Sequence, residues 1–230
     1  MATEAASAET SDPAGESPRQ PNRVYRLFRA AARLAFPVYF RLRVRGLDKI
    51  PAQGPALLVI NHQSFLDSLF VGTPLPRTIC YLARDSLFRV PVVGWILKHT
   101  YVMPVNRESA SSSSLRLAAD RLKRGYLVGI FPEGTRSSDG QIAPLKPGFI
   151  ALVRRGNVPI IPVGVAGTAA ALPRGSLFIR PKTCRVVYGD PIPTDVLARL
   201  AVKGNEQALL DEVRQRMIAC QQAAQQWLDR

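Results

Sequence analysis

The sequence predicts an α/β fold: a single layered domain with a mostly parallel or mixed central sheet, flanked by helices and preceded by a basic amphipathic helix. The first reason is size, because 230 residues with 47% hydrophobic side chains suit one compact domain with a sizeable core. The second reason is order, because short apolar runs alternate along the chain with stretches of helical periodicity. We find no internal repeat that would indicate another architecture.

The amino-terminal residues 1–22 contain mainly small and polar side chains, which is typical of a disordered tail. They lack a basic start followed by an apolar run, so we predict no signal peptide. The longest apolar stretch, residues 87–105, is broken by charged residues and prolines, so we also predict no spanning helix.

Residues 23–37 form the predicted amphipathic helix, with Pro37 expected to end it. Arg26, Arg29 and Arg33 fall on one face, and apolar side chains fall on the other. One interpretation is a monotopic membrane anchor with its arginines on anionic headgroups, and the alternative is a surface helix docked on the domain. Eight arginines and no acidic residue lie in the surrounding stretch from 19 to 45, which favours the membrane.

The remaining residues, 38–230, are predicted to form the main domain. Residues 40–45 alternate apolar side chains with arginines, as a strand with one wet face does, whereas residues 55–60 form a continuous apolar run typical of a buried strand. The further predicted strands are residues 55–60, 79–83, 101–105, 127–131, 158–165 and 184–188. The predicted helices are residues 64–70, 111–124, 148–155 and 205–228.

The chain is strongly basic, with 31 Lys and Arg against 17 Asp and Glu, a formal net charge of +14. This charge suits nucleic acid, an anionic membrane or a phosphorylated small molecule. Zinc-finger spacing, RNP-like runs and heptads are missing, so nucleic-acid binding rests on charge alone. The three cysteines are far apart and only two histidines occur, so we predict buried thiols and no structural metal.

The first candidate site is residues 61–67, NHQSFLD, directly after the apolar run at 55–60. Five helical residues turn about 140° beyond a full circle, so His62 and Asp67 meet only if His62 lies outside the helix. With Ser64 as N-cap, Asp67 would hold Nδ1–H of His62, and Nε2 would take a proton from a hydroxyl. Alternatively, Ser64 and Asp67 form a capping box and His62 is a surface residue; the two interpretations are compatible.

The second candidate site is residues 131–137, FPEGTRS, which follow the apolar run at 127–131. Gly134 would let the backbone approach a ligand, and the planar fork of Arg136 suits a phosphate. Glu133 would accept a hydrogen bond from a polyol hydroxyl. Taken alone, this segment is also an ordinary turn.

Together, NHxxxxD and FPEGTRS about seventy residues later resemble the glycerolipid acyltransferase superfamily, in particular the bacterial 1-acyl-sn-glycerol-3-phosphate acyltransferase (PlsC-like) group. Residues 101–107, YVMPVNR, resemble its second block, and residues 158–163, VPIIPV, its fourth. The resemblance covers roughly residues 40–190. Four blocks in order are far more specific than one short motif.

The resemblance implies acyl transfer from acyl-CoA or acyl carrier protein to the free hydroxyl of 1-acyl-sn-glycerol-3-phosphate, giving phosphatidic acid in phospholipid biosynthesis, with no cofactor and no metal. It implies that His62 is the general base and Asp67 its orienting partner. The residues expected to bind substrate are Arg84, Arg107, Glu133, Gly134, Thr135 and Arg136. The expected location is the cytoplasmic face of the membrane, as a peripheral protein that binds no nucleic acid.

The sequence departs from the family pattern at three positions. Arg84 stands where a lysine is common, Thr100 where glycine is frequent, and Pro147 interrupts the usual lysine–glycine pair. Arginine keeps the charge of lysine but presents a different donor geometry. Other readings remain: acyl transfer to another acceptor such as glycerol-3-phosphate or another lysophospholipid, lysophospholipid hydrolysis with water as nucleophile, and a basic nucleic-acid-binding module.

Overall fold

A computed structural model describes residues 21–105, 112–156 and 158–230, and within them the chain forms one seven-stranded sheet flanked by helices. The strands are β1 (Arg43–Arg45), β2 (Ala56–Ile60), β3 (Ile79–Arg84), β4 (Val102–Val105), β5 (Leu127–Ile130), β6 (Ile160–Ala166) and β7 (Arg185–Tyr188). The helices are α1 (Arg23–Tyr39), α2 (Asp67–Gly72), α3 (Pro91–His99), α4 (Ser112–Lys123), α5 (Ile150–Gly156), α6 (Thr168–Ala171), α7 (Thr194–Leu200) and α8 (Glu206–Leu228).

The sheet has the strand order β1-β7-β6-β2-β5-β3-β4. Every pair is parallel except β6 with β7. The five strands from β2 to β6 therefore run in one direction and end at the same edge of the sheet. The predicted fold class, with its mostly parallel mixed sheet and leading helix, is confirmed.

The core fills both faces of the sheet. Leu57 and Val59 of β2 belong to the layer that contains α4, α5, α7 and α8, whereas Leu58 and Ile60 belong to the layer beneath α2 and the end of α1. All five residues of β2 are buried, as expected for a continuous apolar run in the middle of a parallel sheet.

The element boundaries differ from the predictions mainly near the amino terminus. Helix α1 continues to Tyr39 because Pro37 lies in its last turn, where only one backbone hydrogen bond is lost. Strand β1 is only three residues long, since the backbone of Phe40 instead accepts a hydrogen bond from Cys184. Helices α3, α6 and α7 were not predicted. The first 20 residues of the predicted tail lie outside the described residues.

Helix α1 docks on the domain through two of its arginines and through Tyr25 and Ala32, which are buried. Arg33 donates to the carbonyls of Thr73, Pro74 and Leu75, and Arg29 donates to that of Leu75. This arrangement corrects the expectation that both arginines face lipid headgroups. The exposed apolar side chains on α1 are Leu27, Leu34, Val38 and Tyr39.

Across residues 21–105, 112–156 and 158–230, we find no helix with the length and apolar character needed to cross a bilayer.

Candidate active site

The turn between β2 and α2 brings His62 and Asp67 together. Nδ1 of His62 lies 2.9 Å from Oδ2 of Asp67. The same carboxylate oxygen accepts the backbone N–H groups of Gln63 and Ser64, at 2.7 and 2.8 Å. The Ser64 bond is half of a capping box, but helix α2 begins at Asp67 with Leu66 as its N-cap and no side-chain cap bond, so the prediction that Ser64 caps the helix is wrong. The contact between His62 and Asp67 forms without this cap.

The turn is tied to the sheet by Asn61, which is 1% exposed. Its side-chain amide donates to the carbonyl of Val165, and its Oδ1 accepts the N–H of Val165, at 3.1 and 2.7 Å. These bonds join the end of β2 to β6 beyond the paired residues of the two strands. The position of the next residue, His62, is thereby fixed relative to the sheet edge.

The segment after β5 packs directly against His62. The ring of Phe131 stacks on the imidazole with a centroid separation of 4.1 Å and an interplanar angle of 27°. Oε1 of Glu133 accepts the backbone N–H of His62 at 2.8 Å, and the carbonyl of His62 accepts the N–H of Ser137 at 2.7 Å. Two segments about seventy residues apart therefore form a single site.

Glu133 is 3% exposed, and its second oxygen, Oε2, accepts the N–H of Ala143 at 3.0 Å. Burial raises the pKa of this carboxyl group, and the hydrogen bonds from Ala143 and His62 partly oppose that shift. Glu133 thus holds the turn that carries His62. Contact between Glu133 and a substrate hydroxyl stays a prediction.

Several cations surround this turn. The guanidinium group of Arg136 lies 4.0 Å from the ring centroid of Phe65. Partial burial, followed by the nearby charges of Arg174 and Arg84, lowers the pKa of Arg136. Lys146 packs against Gly134, where a Cβ atom would lie 2.7 Å from the lysine Nζ.

Of the other predicted binding residues, Gly134, Thr135 and Arg84 are described by the structure and Arg107 is not. Gly134 has a positive φ of +72°, which explains the need for glycine in this turn. Thr135 is exposed beside it. Arg84 is exposed at the end of β3, on the same sheet edge as His62. Arg107 lies outside the described residues, and its role in substrate binding stays a prediction.

Comparison with known proteins shows which family this chain resembles. The acyltransferase family model matches residues 41–166, which contain β1 to β6 and both motifs. The chain belongs to the acyltransferase family.

Named members of the acyltransferase family are similar over most of the chain. A chloroplastic 1-acyl-sn-glycerol-3-phosphate acyltransferase of Brassica napus is 32% identical over 67% of this chain and 46% of its own length. The 1-acyl-sn-glycerol-3-phosphate acyltransferase of Bacillus subtilis is 29% identical over 76% of this chain and 86% of its own length. The chain therefore spans about half the length of the plant relative but most of the bacterial one.

A solved acyltransferase structure shares the fold. The crystal structure of the 1-acyl-sn-glycerophosphate acyltransferase PlsC from Thermotoga maritima superposes with a TM-score of 0.73 and 24% sequence identity. The match covers 90% of this chain and 80% of that one.

Sequence reasoning on this acyltransferase-family chain missed two features of the site. Phe131 was noted only as part of a motif, and nothing in its spacing indicates that it stacks on His62. Arg174 was not singled out, although it reaches the neighbourhood of Arg136 from the segment after β6. Both arrangements depend on where distant strands end. Among the described residues, we find no cluster of three or more His, Cys, Asp or Glu placed to hold a metal ion.

Proposed function

We propose that this chain transfers an acyl group from a thioester, of coenzyme A or acyl carrier protein, to the free hydroxyl of 1-acyl-sn-glycerol-3-phosphate, giving phosphatidic acid. The observation that carries the proposal is the 2.9 Å contact between His62 Nδ1 and Asp67 Oδ2. Family membership and the names of the similar proteins support the substrate class.

The histidine acts as the general base of this reaction. Asp67 accepts Nδ1–H of His62 and holds the tautomer whose Nε2 is free to accept a proton. The acceptor hydroxyl is a weak nucleophile because its pKa lies far above 7, and it attacks the thioester carbonyl as His62 removes its proton. Collapse of the tetrahedral intermediate expels the thiolate, so no covalent enzyme intermediate is required.

Negative charge on the carbonyl oxygen of the intermediate requires a donor. The backbone N–H groups of His62, Gln63 and Ser64 already donate to the carboxylates of Glu133 and Asp67. These amides are therefore occupied, which favours a side-chain cation as the stabilising group. We assign this role to Arg84, which is exposed at the same edge of the sheet.

The acceptor phosphate is bound by the cations beside the turn. Arg136 supplies a planar fork next to Phe65, and Arg84 and Arg174 add positive charge nearby. Arg107 is proposed to join them, as the resemblance implies. The turn residues Gly134 and Thr135 are proposed to lie against the glycerol-phosphate head.

Membrane association follows from the exposed face of α1. Leu27, Leu34 and Val38 recur at helical spacing and are 74%, 77% and 81% exposed. A continuous apolar stripe of this kind suits insertion at the acyl boundary of a bilayer, where the lysolipid acceptor resides. We propose a peripheral, monotopic protein at the cytoplasmic face of the membrane, with no nucleic-acid partner.

The proposal is tested by incubating the purified protein with acyl-CoA or acyl carrier protein and several lysolipids, followed by mass spectrometry. We expect phosphatidic acid from 1-acyl-sn-glycerol-3-phosphate, and loss of turnover in His62→Ala with the fold retained by circular dichroism. His99→Ala is the matched control, because its Nδ1 instead lies 2.7 Å from the carbonyl of Trp95.

Three outcomes would contradict the proposal. Release of free fatty acid alone would indicate a hydrolase, in which His62 activates water. A diacyl product from a different acceptor only would reassign the substrate. Near-normal activity of His62→Ala would reject the histidine as base.

A further inference from the structure

A second apolar surface lies in the segment between α6 and β7, residues 173–182, here called the 173–182 loop. At its tip, Leu177, Phe178 and Ile179 are 92%, 82% and 49% exposed. Three consecutive large apolar side chains in water are unfavourable without a partner surface. They lie outside the helix to which membrane contact is attributed above.

The backbone holds this tip in a defined shape. The N–H of Arg180 donates to the carbonyl of Ala171 at 2.8 Å and closes the loop at its base. A tight turn follows, in which the N–H of Ser176 donates to the carbonyl of Pro173 and Gly175 has a φ of +84°. The apolar side chains are therefore presented outward by a closed loop.

The charge around the tip is entirely positive. Arg174, Arg180 and Lys182 are exposed on both sides of the apolar residues. In addition, no acidic residue occurs in the sequence between Asp139 and Asp190. Apolar side chains framed by cations complement the acyl boundary and the anionic headgroups of a phospholipid bilayer.

The loop adjoins the carboxyl end of α1. The hydroxyl of Tyr39, the last residue of α1, donates to the carbonyl of Ile179 at 3.2 Å. The N–H of Cys184 donates to the carbonyl of Phe40 at 3.0 Å. The exposed stripe of α1 and the tip of the loop are thus neighbouring surfaces.

We propose that the 173–182 loop is a second membrane-contact element, which inserts Leu177, Phe178 and Ile179 into a bilayer that contains anionic phospholipid. Arg180 and Lys182 lie on the headgroups. This inference rests on the proposed function, because it extends the membrane contact of α1.

The loop also connects the bilayer to the active-site turn. The hydroxyl of Ser64 donates to the carbonyl of Leu172 at 2.9 Å, directly before the loop. Ser64 in turn donates its N–H to Asp67. Insertion of the loop therefore fixes the height of the His62 turn above the membrane, where a lipid acceptor must present its hydroxyl.

Insertion is measured with Phe178→Cys carrying an environment-sensitive fluorophore. The native thiols, Cys80, Cys184 and Cys220, are buried, so the introduced thiol reacts selectively. On vesicles of phosphatidylcholine with phosphatidylglycerol, we expect a blue shift and quenching by spin-labelled lipid. Val202→Cys is the matched control, since Val202 is 57% exposed on another part of the surface and should give no change.

The energetic test replaces the three tip residues by serine in the full chain. We expect vesicle partitioning to fall about tenfold or more, with the thermal unfolding midpoint unchanged because the side chains are exposed. Val202→Ser should partition like the wild type. Transfer to a dispersed short-chain acceptor without vesicles should stay at the wild-type rate.

The proposal is overturned if the label stays in water on vesicles, or if the serine variant partitions like the wild type. It is also overturned if the variant keeps vesicle binding but loses activity only with acyl carrier protein, which would indicate a protein-docking loop. If the proposed function is wrong, the wild type shows no acyl transfer to 1-acyl-sn-glycerol-3-phosphate. Insertion of the labelled loop is measured by fluorescence and does not depend on that activity, so the two failures are distinguished.

Discussion

Asp67 accepts three hydrogen bonds through one carboxylate oxygen, from His62, Gln63 and Ser64. It is fully buried, whereas the side chain of His62 is 17% exposed. The carboxylate therefore both shapes the turn and orients the imidazole, which keeps part of its surface exposed. We expect these two tasks to need an acid rather than an amide at this position.

Asp67→Asn is expected to lower kcat by about 10²–10⁴-fold and the free energy of unfolding by about 1–3 kcal/mol. If the asparagine NH₂ group takes the place of Oδ2, it cannot accept hydrogen bonds from these three donors. If the asparagine oxygen takes that place, the hydrogen bonds remain but the ion pair with a protonated His62 is lost. Steady-state kinetics and thermal unfolding measure both effects. Asp211→Asn, an exposed change on α8, serves as the control and should alter neither. Wild-type turnover of Asp67→Asn would contradict the assigned role.

Glu133 supports His62 from the opposite side of the site. Glutamine has one acceptor oxygen, so Glu133→Gln leaves the N–H of either His62 or Ala143 unpaired. We expect a loss of about 1–3 kcal/mol of stability and a fall in kcat with a smaller change in acceptor KM. A large rise in KM at unchanged kcat would instead indicate that Glu133 binds the substrate directly.

The same residue gives a pH dependence with a defined sign. Burial raises the pKa of Glu133 above its ordinary value of 4.5, so the folded chain holds this proton more tightly than the unfolded chain. The stability it contributes is therefore greatest below pH 4.5 and declines as the pH rises through the raised pKa. Denaturant unfolding across this range should show that slope in the wild type and lose it in Glu133→Gln. An equal slope in both would contradict the assignment.

At the scale of single elements, one face of α1 contacts the domain and another is exposed to solvent. Its arginine face binds carbonyl oxygens of residues 73–75, and its apolar stripe is exposed. The amphipathic pattern was visible in the sequence, but periodicity alone does not tell which face meets the domain. Hydrogen bonds from two arginines to the carbonyls of residues 73–75, together with the burial of Tyr25 and Ala32, set the orientation.

Substitutions on the two faces should therefore have separate effects. Leu27→Asp with Leu34→Asp is expected to reduce vesicle flotation strongly with little change in stability, because both side chains are exposed. Arg33→Ala is expected to cost about 1–2 kcal/mol of stability through its lost hydrogen bonds. Flotation and thermal unfolding separate the outcomes. Unchanged flotation of the double variant would reject α1 as an anchor.

At the scale of the whole molecule, α8 packs directly on the middle of the sheet. A Cβ atom on Gly164 of β6 would lie 2.2 Å from the backbone carbon and oxygen of Cys220 in α8. The close approach needs glycine because a Cβ atom would overlap the backbone of α8. It places the long carboxyl-terminal helix over the strand that flanks β2.

Gly164→Ala is therefore expected to destabilise the fold by about 3 kcal/mol, at the upper end for overpacking. Gly148→Ala is the control, because a Cβ atom there meets no atom within 4 Å. Denaturant unfolding of both variants measures the difference. Equal stability would show that α8 shifts away from β6 at little cost.

The sequence determined the parts of this protein that depend on neighbouring residues. Each predicted apolar run contains a strand. The runs are long enough to cross the core of the domain, and turns separate them. The pairing of His62 with Asp67 was predicted because a histidine just outside the helix can fold back over the first turn. Helix α3 was not predicted because the apolar residues in its stretch follow no clear helical period. It begins at Pro91, a residue that the first turn of a helix tolerates.

Only the tertiary structure decided how distant segments meet. The stacking of Phe131 on His62, the bonds of Glu133 to two backbone amides and the approach of Arg174 to Arg136 all depend on which strands are neighbours. A short motif determines the contacts within its own turn, because its residues are close together along the chain. The order of strands in the sheet fixes what lies across from it, and that order follows from the packing of the whole chain.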